Sequence, residues 1–318
     1  MKSLKSRLLA PFVAALGLGL MLAASSASAA INWGDPFTLF EDDDLDWHFD
    51  VNGNVKTNGQ LEIGDVLAAV LELNSANGTD IGPGDELTGL AIIQLVGRAI
   101  VDVNGVPTPI DIFAPPAAGF DFYSGGAPDL TGGAGAAGGG AMIAFWLDGS
   151  PDLKIDAGSV TGGTTSCLTF AVCSGQASDG SEWLVAGFTG DPDEAWIVAN
   201  APTDVSGIPG SLPSQEFGAL NASLGLITNG TGRIIILDDL DCGLFCGPGP
   251  GGDGKVDISG SGSVKGGGIM AGMSPNGEWF ATSDFDMTLK STVPVPGTVL
   301  LLGLGLLGLT TTARRKKA

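Results

Sequence analysis

The chain has 318 residues and a net charge of −21, and its charges are unevenly distributed. All 35 acidic residues, but only seven of the 14 Lys and Arg, lie in the segment 31–292, which therefore has a net charge of −28. A segment this acidic repels phosphate backbones, so nucleic acid is excluded as a partner.

The first 30 residues have the order of a signal peptide. A basic start is followed by the apolar segment 8–24 and by the small residues 25–30, which include an Ala-Ser-Ala cleavage site. We expect signal peptidase to remove residues 1–30 and the segment 31–292 to be exported. A retained N-terminal membrane anchor is the alternative.

The segment 31–292 is predicted to form one all-β domain, a β-sandwich or jelly-roll-like ectodomain. Its apolar residues alternate or form short blocks between Gly, Asn, Asp and Pro, and Asn-Gly pairs such as Asn77-Gly78 and Asn104-Gly105 are typical of tight hairpins. Short strands at this spacing favour a sandwich. The predicted strands are 37–41, 65–73, 86–100, 141–147, 166–172, 182–187, 195–199, 217–228, 232–237, 255–264 and 278–289.

Acidic residues cluster at the start of this domain. The run 41–46 holds five acids, and the segment from Asp50 places oxygen side chains at positions 1, 3 and 5 of an EF-hand-like loop. Positions 6 and 12 are Val55 and Leu61, so the loop is not an EF-hand. Either the acids are a solvated loop or they bind calcium. The candidate calcium ligands are Asp42, Asp43, Asp44, Asp46, Asp50, Asn52 and Asn54.

A second acidic cluster has the same two interpretations. It consists of Asp238, Asp239 and Asp241 together with Asp253 and Asp257. Carboxylates that lie close together relieve their mutual repulsion by sharing a divalent cation.

Catalytic motifs are scarce. The single histidine, His48, lies between Trp47 and Phe49 in an alternating stretch, which favours a strand residue over a general base. No Gly-x-Ser-x-Gly motif is present. We therefore expect a protein that is not an enzyme. The rival hypothesis is a secreted polysaccharide-active hydrolase, because 35 acids leave paired catalytic carboxylates open.

The four cysteines lie in the exported segment, where thiols are expected to oxidise. Three connectivities are possible, and we favour Cys167 with Cys173 and Cys242 with Cys246 because each pair closes a short loop. Zinc is disfavoured because the spacings are not those of paired C-x2-C knuckles.

The last 26 residues contain three successive elements. The proline-rich segment 293–298 precedes an apolar Leu/Gly segment, 299–309, and a basic cluster, 314–317. The 21 residues 293–313 are long enough for a single C-terminal transmembrane helix, and the basic cluster would stay cytoplasmic.

This tail resembles the PEP-CTERM sorting tail, which exosortases recognise in Gram-negative bacteria that secrete exopolysaccharide. The residues that carry the resemblance are Val293, Pro294, Val295, Pro296, Gly297, Thr298, Arg314, Arg315, Lys316 and Lys317. The usual Val-Pro-Glu-Pro is Val-Pro-Val-Pro here, so the acidic residue is absent. A plain membrane anchor is the alternative interpretation.

The resemblance implies a domain order and a destination. The signal peptide would occupy 1–30, the β-rich exported domain 31–292 and the sorting tail 293–318. Signal peptidase and an exosortase would process an inner-membrane-anchored precursor, which would then reach the cell surface or the extracellular matrix. The function expected is that of a non-enzymatic envelope or biofilm protein associated with exopolysaccharide.

Overall fold

The structure is a computed structural model of the chain. It describes residues 31–56, 61–82, 84–103, 105–116, 140–155, 166–167, 169–199, 216–242, 251–265 and 279–292. The predicted signal peptide and sorting tail lie outside these ranges. None of the helices within them reaches the length and apolarity needed to cross a bilayer.

The elements are mostly strands, which confirms the all-β prediction. Together they comprise β1 (Phe37–Phe49), β2 (Val66–Ala76), β3 (Thr79–Asp80), β4 (Glu86–Val103), β5 (Val106–Ala114), β6 (Gly140–Asp148), α1 (Phe170–Ala177), β7 (Ser181–Phe188), β8 (Ala195–Ala199), β9 (Glu216–Asn229), β10 (Ile234–Ile235), β11 (Leu240–Asp241), β12 (Lys255–Val256), β13 (Ile258–Lys265) and β14 (Trp279–Thr292).

The main sheet closes on itself. Its antiparallel strands follow one another in the order β1, β2, β4, β6, β7, β9, β13 and β14, and β14 pairs with β1 to complete the ring. The additional pairing of β2 with β4, for example Leu71 opposite Gly89, closes the ring. A sandwich or jelly roll was expected, but the main sheet is continuous and closed, and only β11 and β12 of the described strands form a separate two-stranded sheet.

Two long strands, β4 and β9, each pair with two different strands along one edge. One edge of β4 pairs with β6 over Glu86–Ala91 and then, from Gln94 onwards, with β5, with a register shift between Leu95 and Gly97. β9 pairs in the same divided way, first with β8 and then with β7. β4 and β9 are therefore connected twice, once through β6 and β7 and once through the paired strands β5 and β8.

The interior of the ring is apolar and rich in aromatic residues. Phe40 and Trp183 pack edge to face with ring centroids 5.5 Å apart, and Trp196 stacks on Phe285 at 5.4 Å. Offset and edge-to-face aromatic pairs stabilise a core beyond their buried area. The ring therefore encloses a packed core.

A second apolar layer lies outside the ring. The outward side chains of β1 and β2, including Trp47, are covered by α1. Phe170 of α1 packs against the rings of Trp47 and Phe49, each at 5.4 Å. The disulfide Cys167–Cys173, which the sequence favoured, ties the start of α1 to the segment before it.

The predicted strand 166–172 was wrong, because residues from Phe170 onwards are helical. Thr169 caps the helix by accepting a hydrogen bond from the N–H of Val172, as Thr does at helix N-termini. The predictions also missed β5 entirely and divided the chain differently at 255–264, where the structure has β12 and β13. The other predicted strands are confirmed, although several have different ends.

Two predicted turns lie at strand junctions. Asn77 and Gly78 both have positive φ, 53° and 66°, which is the geometry of a two-residue type I′ hairpin between β2 and β3. Gly105, with φ of 83°, lies between the paired residues Val103 and Val106. Asn104 lies outside the described residues.

Candidate functional site

The acidic run of β1 is divided between the two faces of the sheet, because successive strand side chains point to opposite sides. Asp44 and Asp46 line the interior. Outside, Asp43 accepts a hydrogen bond from Asn74 at 2.6 Å. The run predicted as one calcium cluster is therefore divided, with Asp43 on the outer face and Asp42, Asp44 and Asp46 on the inner face.

Two of the inward carboxylates connect β1 to β14. Asp42 Oδ1 accepts the backbone N–H of Phe285 at 2.6 Å, and Asp44 Oδ1 accepts that of Ser283 at 2.5 Å. The strands are paired on both sides of this segment, at Phe40 with Met287 and at Asp46 with Ala281. The carboxylates thus bind β14 along a stretch where the backbone pairing is interrupted.

Asp44, Asp46 and Ser283 form the polar end of an interior cavity. The Ser283 hydroxyl donates to Asp44 and lies 3.4 Å from Asp46 Oδ1. Burial raises the pKa of Asp46 well above its ordinary value; the charge of Asp44 adds to this effect and the Ser283 hydrogen bond opposes it. The protonated form of Asp46 is therefore favoured in this cavity.

The cavity is small and mostly apolar. It has a volume of about 50 Å³, and Leu71, Ile93 and Trp196 contribute to its walls. A water needs roughly 10–15 Å³ of such space, so a few waters fit and a sugar ring does not. The Asp44–Asp46 pair therefore lacks the open cleft that the hydrolase hypothesis requires.

His48 belongs to a buried ion cluster at one end of β1. Its Nε2 lies 2.7 Å from Asp65 Oδ2, which also accepts from Lys56 Nζ at 2.7 Å and from the N–H of Glu62 at 2.8 Å. Burial lowers the pKa of His48, against the effect of Asp65. The prediction that His48 is a strand residue is confirmed. Through Asp65, the cluster attaches the segments around Lys56 and Glu62 to the end of β1.

In the EF-hand-like loop, the carboxylate of Asp50 accepts hydrogen bonds from other residues of the loop. Asp50 Oδ1 accepts the N–H of Asn52 at 2.8 Å and that of Asn54 at 2.9 Å, and the Asn54 amide contacts both carboxylate oxygens. These hydrogen bonds, those from Asn54 first, lower the pKa of Asp50 to about 2. The arrangement is a tight turn stabilised by its first residue.

The second acidic cluster has members that the sequence analysis missed. Asp257 accepts the N–H groups of Leu226 and Asp238, both at 2.8 Å. Asp193, which is 1% exposed, accepts from Asp253 N at 2.7 Å. Only the spatial proximity of two distant loops brings Asp193 to this cluster, so no local sequence signal could have identified it.

Burial first, and then the charges of Asp257, Asp191 and Asp253, raise the pKa of Asp238. Even so, no group of three or more His, Cys, Asp or Glu in the described residues has an arrangement that could hold a metal ion. Calcium binding stays a prediction for both clusters.

Two of the predicted cysteines and the whole sorting tail lie at or beyond the limits of the described residues. Besides the Cys167–Cys173 pair, Cys242 is disulfide-bonded, and Cys246 lies outside the described residues. Thr292 ends the last strand, so every predicted sorting residue lies just beyond the described part of the chain.

Comparisons with known proteins identify that tail. No curated protein and no solved structure matches the chain. The family model of the PEP-CTERM protein-sorting motif matches residues 292–317. The chain therefore carries a PEP-CTERM protein-sorting motif that begins at the final residue of β14, as an exported protein that is sorted by an exosortase does.

Proposed function

We propose that this chain is a non-enzymatic protein of the cell envelope or extracellular matrix, which an exosortase processes and which associates with exopolysaccharide. The observation that carries the proposal is the sorting motif at 292–317. Its position supports the proposal, because β14 ends at Thr292 and removal of the tail leaves all described strands in place.

The charge of the exported segment is consistent with a matrix role. Its net charge of −28 favours solubility and attracts divalent cations. Calcium could then act as a structural bridge between the acidic surface and an anionic polysaccharide. This bridging is part of the proposal and needs no dedicated site within the fold.

Deletion of the host exosortase tests the sorting step. We expect the protein to accumulate as a larger, membrane-retained species, which an immunoblot of membrane and medium fractions would detect. A size and location identical to those in the parent strain would contradict the proposal. A strain that carries the exosortase gene on a plasmid is the control.

Variants of the tail connect the effect to the motif. Replacement of Pro294 and Pro296 with Ala should reduce processing, and Val295→Glu, which supplies the acid that is usual in this motif, should leave it at least as complete. If both variants were processed like the parent chain, the enzyme would not read these residues.

The hydrolase rival has its own test. The purified protein is incubated with the host exopolysaccharide, and released reducing ends are measured. We expect none above background. Release that disappears in Asp46→Asn but not in Glu182→Gln, an exposed residue of β7, would overturn the non-enzymatic assignment.

A further inference from the structure

An exposed apolar patch surrounds the point where the tail leaves the domain. Phe37 and Leu39 of β1 and Ile234 of β10 form this tail-proximal patch, with exposed fractions of 50%, 37% and 54%. Ile234 is paired with Thr292, and Phe37 with Lys290, so all three side chains lie on strands that flank the end of β14. Because β14 lies between β1 and β10 and neighbouring strands are about 4.8 Å apart, the patch extends about 10 Å across three strands.

The three side chains point outward together. On β14 the inward residues are Phe285, Met287 and Leu289, which are buried, so Lys290 and Thr292 face outside. The Lys290 ammonium lies 5.2 Å from the centroid of the Phe37 ring, on that same outer face. The patch is therefore a continuous part of the outer surface.

Two basic residues lie close to the patch. Arg233 and Lys290 are two of only seven basic residues in the segment 31–292. Lys290 pairs with Asp239, and the Arg233 guanidinium lies 5.0 Å from the Trp33 ring. Two cations therefore lie beside the patch, and Asp239 compensates the charge of one of them.

The length of the tail limits how far this patch can be from the membrane. Six residues, 293–298, separate Thr292 from the apolar segment 299–309. Fully extended, six residues span at most about 20 Å. While the tail is anchored, Thr292 at the edge of the patch is thus held within that distance of the lipid.

We propose that the tail-proximal patch rests on the lipid surface of the membrane in which the uncleaved tail is anchored, and leaves it when the tail is removed. Moving exposed apolar side chains from water into the boundary between headgroups and acyl chains lowers the free energy. Contact with the bilayer orients the domain so that residues 293–298 lie at the membrane surface, where a membrane-bound processing enzyme reaches them. The inference rests on the proposed sorting function.

Photocrosslinking of the full-length precursor in vesicles tests this contact. The vesicles contain phosphatidylcholine and phosphatidylglycerol, and p-benzoylphenylalanine replaces Phe37 or Ile234. Ile100, which is 74% exposed on the part of β4 that extends beyond the opposite end of β1, is the matched control. Flotation of the vesicles measures anchoring independently of crosslinking.

The expected result is a several-fold larger yield of lipid adducts at positions 37 and 234 than at position 100. Equal yields at the three positions, or adducts to a second copy of the protein instead of lipid, would overturn the inference. If the precursor floats with the vesicles but gives no lipid adducts, only this inference fails. If it does not float, the tail does not anchor the chain, and the proposed function fails as well.

Discussion

Two glycines of β4 have very different surroundings. A Cβ on Gly89 would lie 2.4 Å from Cδ1 of Phe145, its partner across the sheet, whereas a Cβ on Gly97 would meet nothing within 4 Å. The absent side chain at Gly89 leaves room for the Phe145 ring against the backbone, an arrangement that also occurs between Gly260 and Phe285.

We expect Gly89→Ala to lower the free energy of unfolding by about 2 kcal/mol, because the ring must move in a packed core. Gly97→Ala is the matched control and should change it by less than about 1 kcal/mol. Urea denaturation of both variants measures the difference. Equal stability of the two variants would contradict the role given to Gly89.

Glu86 is a buried acid whose protonation should affect stability. It is 5% exposed, and its Oε1 has no hydrogen-bond partner among the residues that the structure describes. Burial, with smaller effects from Glu72 and Asp152, raises its pKa from 4.5 to about 7, although the N–H of Asp152 opposes the shift. Below pH 4.5 the group is protonated in both states, so it causes no difference between them.

As the pH rises above 4.5, the unfolded chain loses the proton first, and the free energy of unfolding falls until the folded group also ionises near pH 7. Glu86→Gln removes this loss. We expect the variant to gain about 2 kcal/mol relative to the parent between pH 4 and pH 8. Urea denaturation at both pH values checks this, with the exposed Glu182→Gln as control. A stability difference independent of pH would refute it.

At the scale of elements, local patterns predicted strands well but did not identify α1. The alternation around Trp47 and the Asn77-Gly78 turn are local signals, and both correspond to structure. An eight-residue helix has too few hydrogen bonds to be stable by itself. Phe170 stabilises α1 by packing against Trp47, a residue more than 100 positions away, which no local pattern encodes.

The disulfide is the other support of α1. Cys167 and Cys173 are six positions apart. Closing this loop lowers the conformational entropy of the unfolded chain and so raises the free energy of unfolding by about 2 kcal/mol. Replacing both with Ala should lower the free energy of unfolding by about that amount and accelerate hydrogen exchange across α1. Val172→Ala, at an exposed position of the same helix, is the control. Unchanged exchange across α1 would show that packing alone maintains the helix.

For the whole molecule, neither the closure of the ring nor the contacts of its interior acids could be predicted from the sequence. Asp42 and Asp44 were predicted as calcium ligands because they are adjacent to other acids in the sequence. Their hydrogen bonds to Phe285 and Ser283 connect residues more than 230 positions apart. Only closure of the sheet between its first and last strands creates these contacts, whereas the sorting motif is contiguous and could be read directly.

The last strand sits between β1 and β13, so it should be needed for the domain to fold. A chain that ends at Thr292 keeps β14, whereas one that ends at residue 278 exposes the apolar surface that Phe285, Met287 and Leu289 cover and leaves Asp42 and Asp44 without the backbone donors of β14. Unsatisfied buried carboxylates and lost apolar burial each cost several kcal/mol, which is comparable to the stability of a whole domain.

We expect the chain ending at 292 to give a β-sheet circular dichroism spectrum and a cooperative thermal transition, and the chain ending at 278 to give neither. The first chain is the control for the second, because the two differ only in β14. A cooperative transition in the shorter chain would mean that the ring closes without its last strand. If the shorter chain does not fold, any cleavage that releases a folded domain must occur after residue 278, so that at least part of β14 stays with the domain.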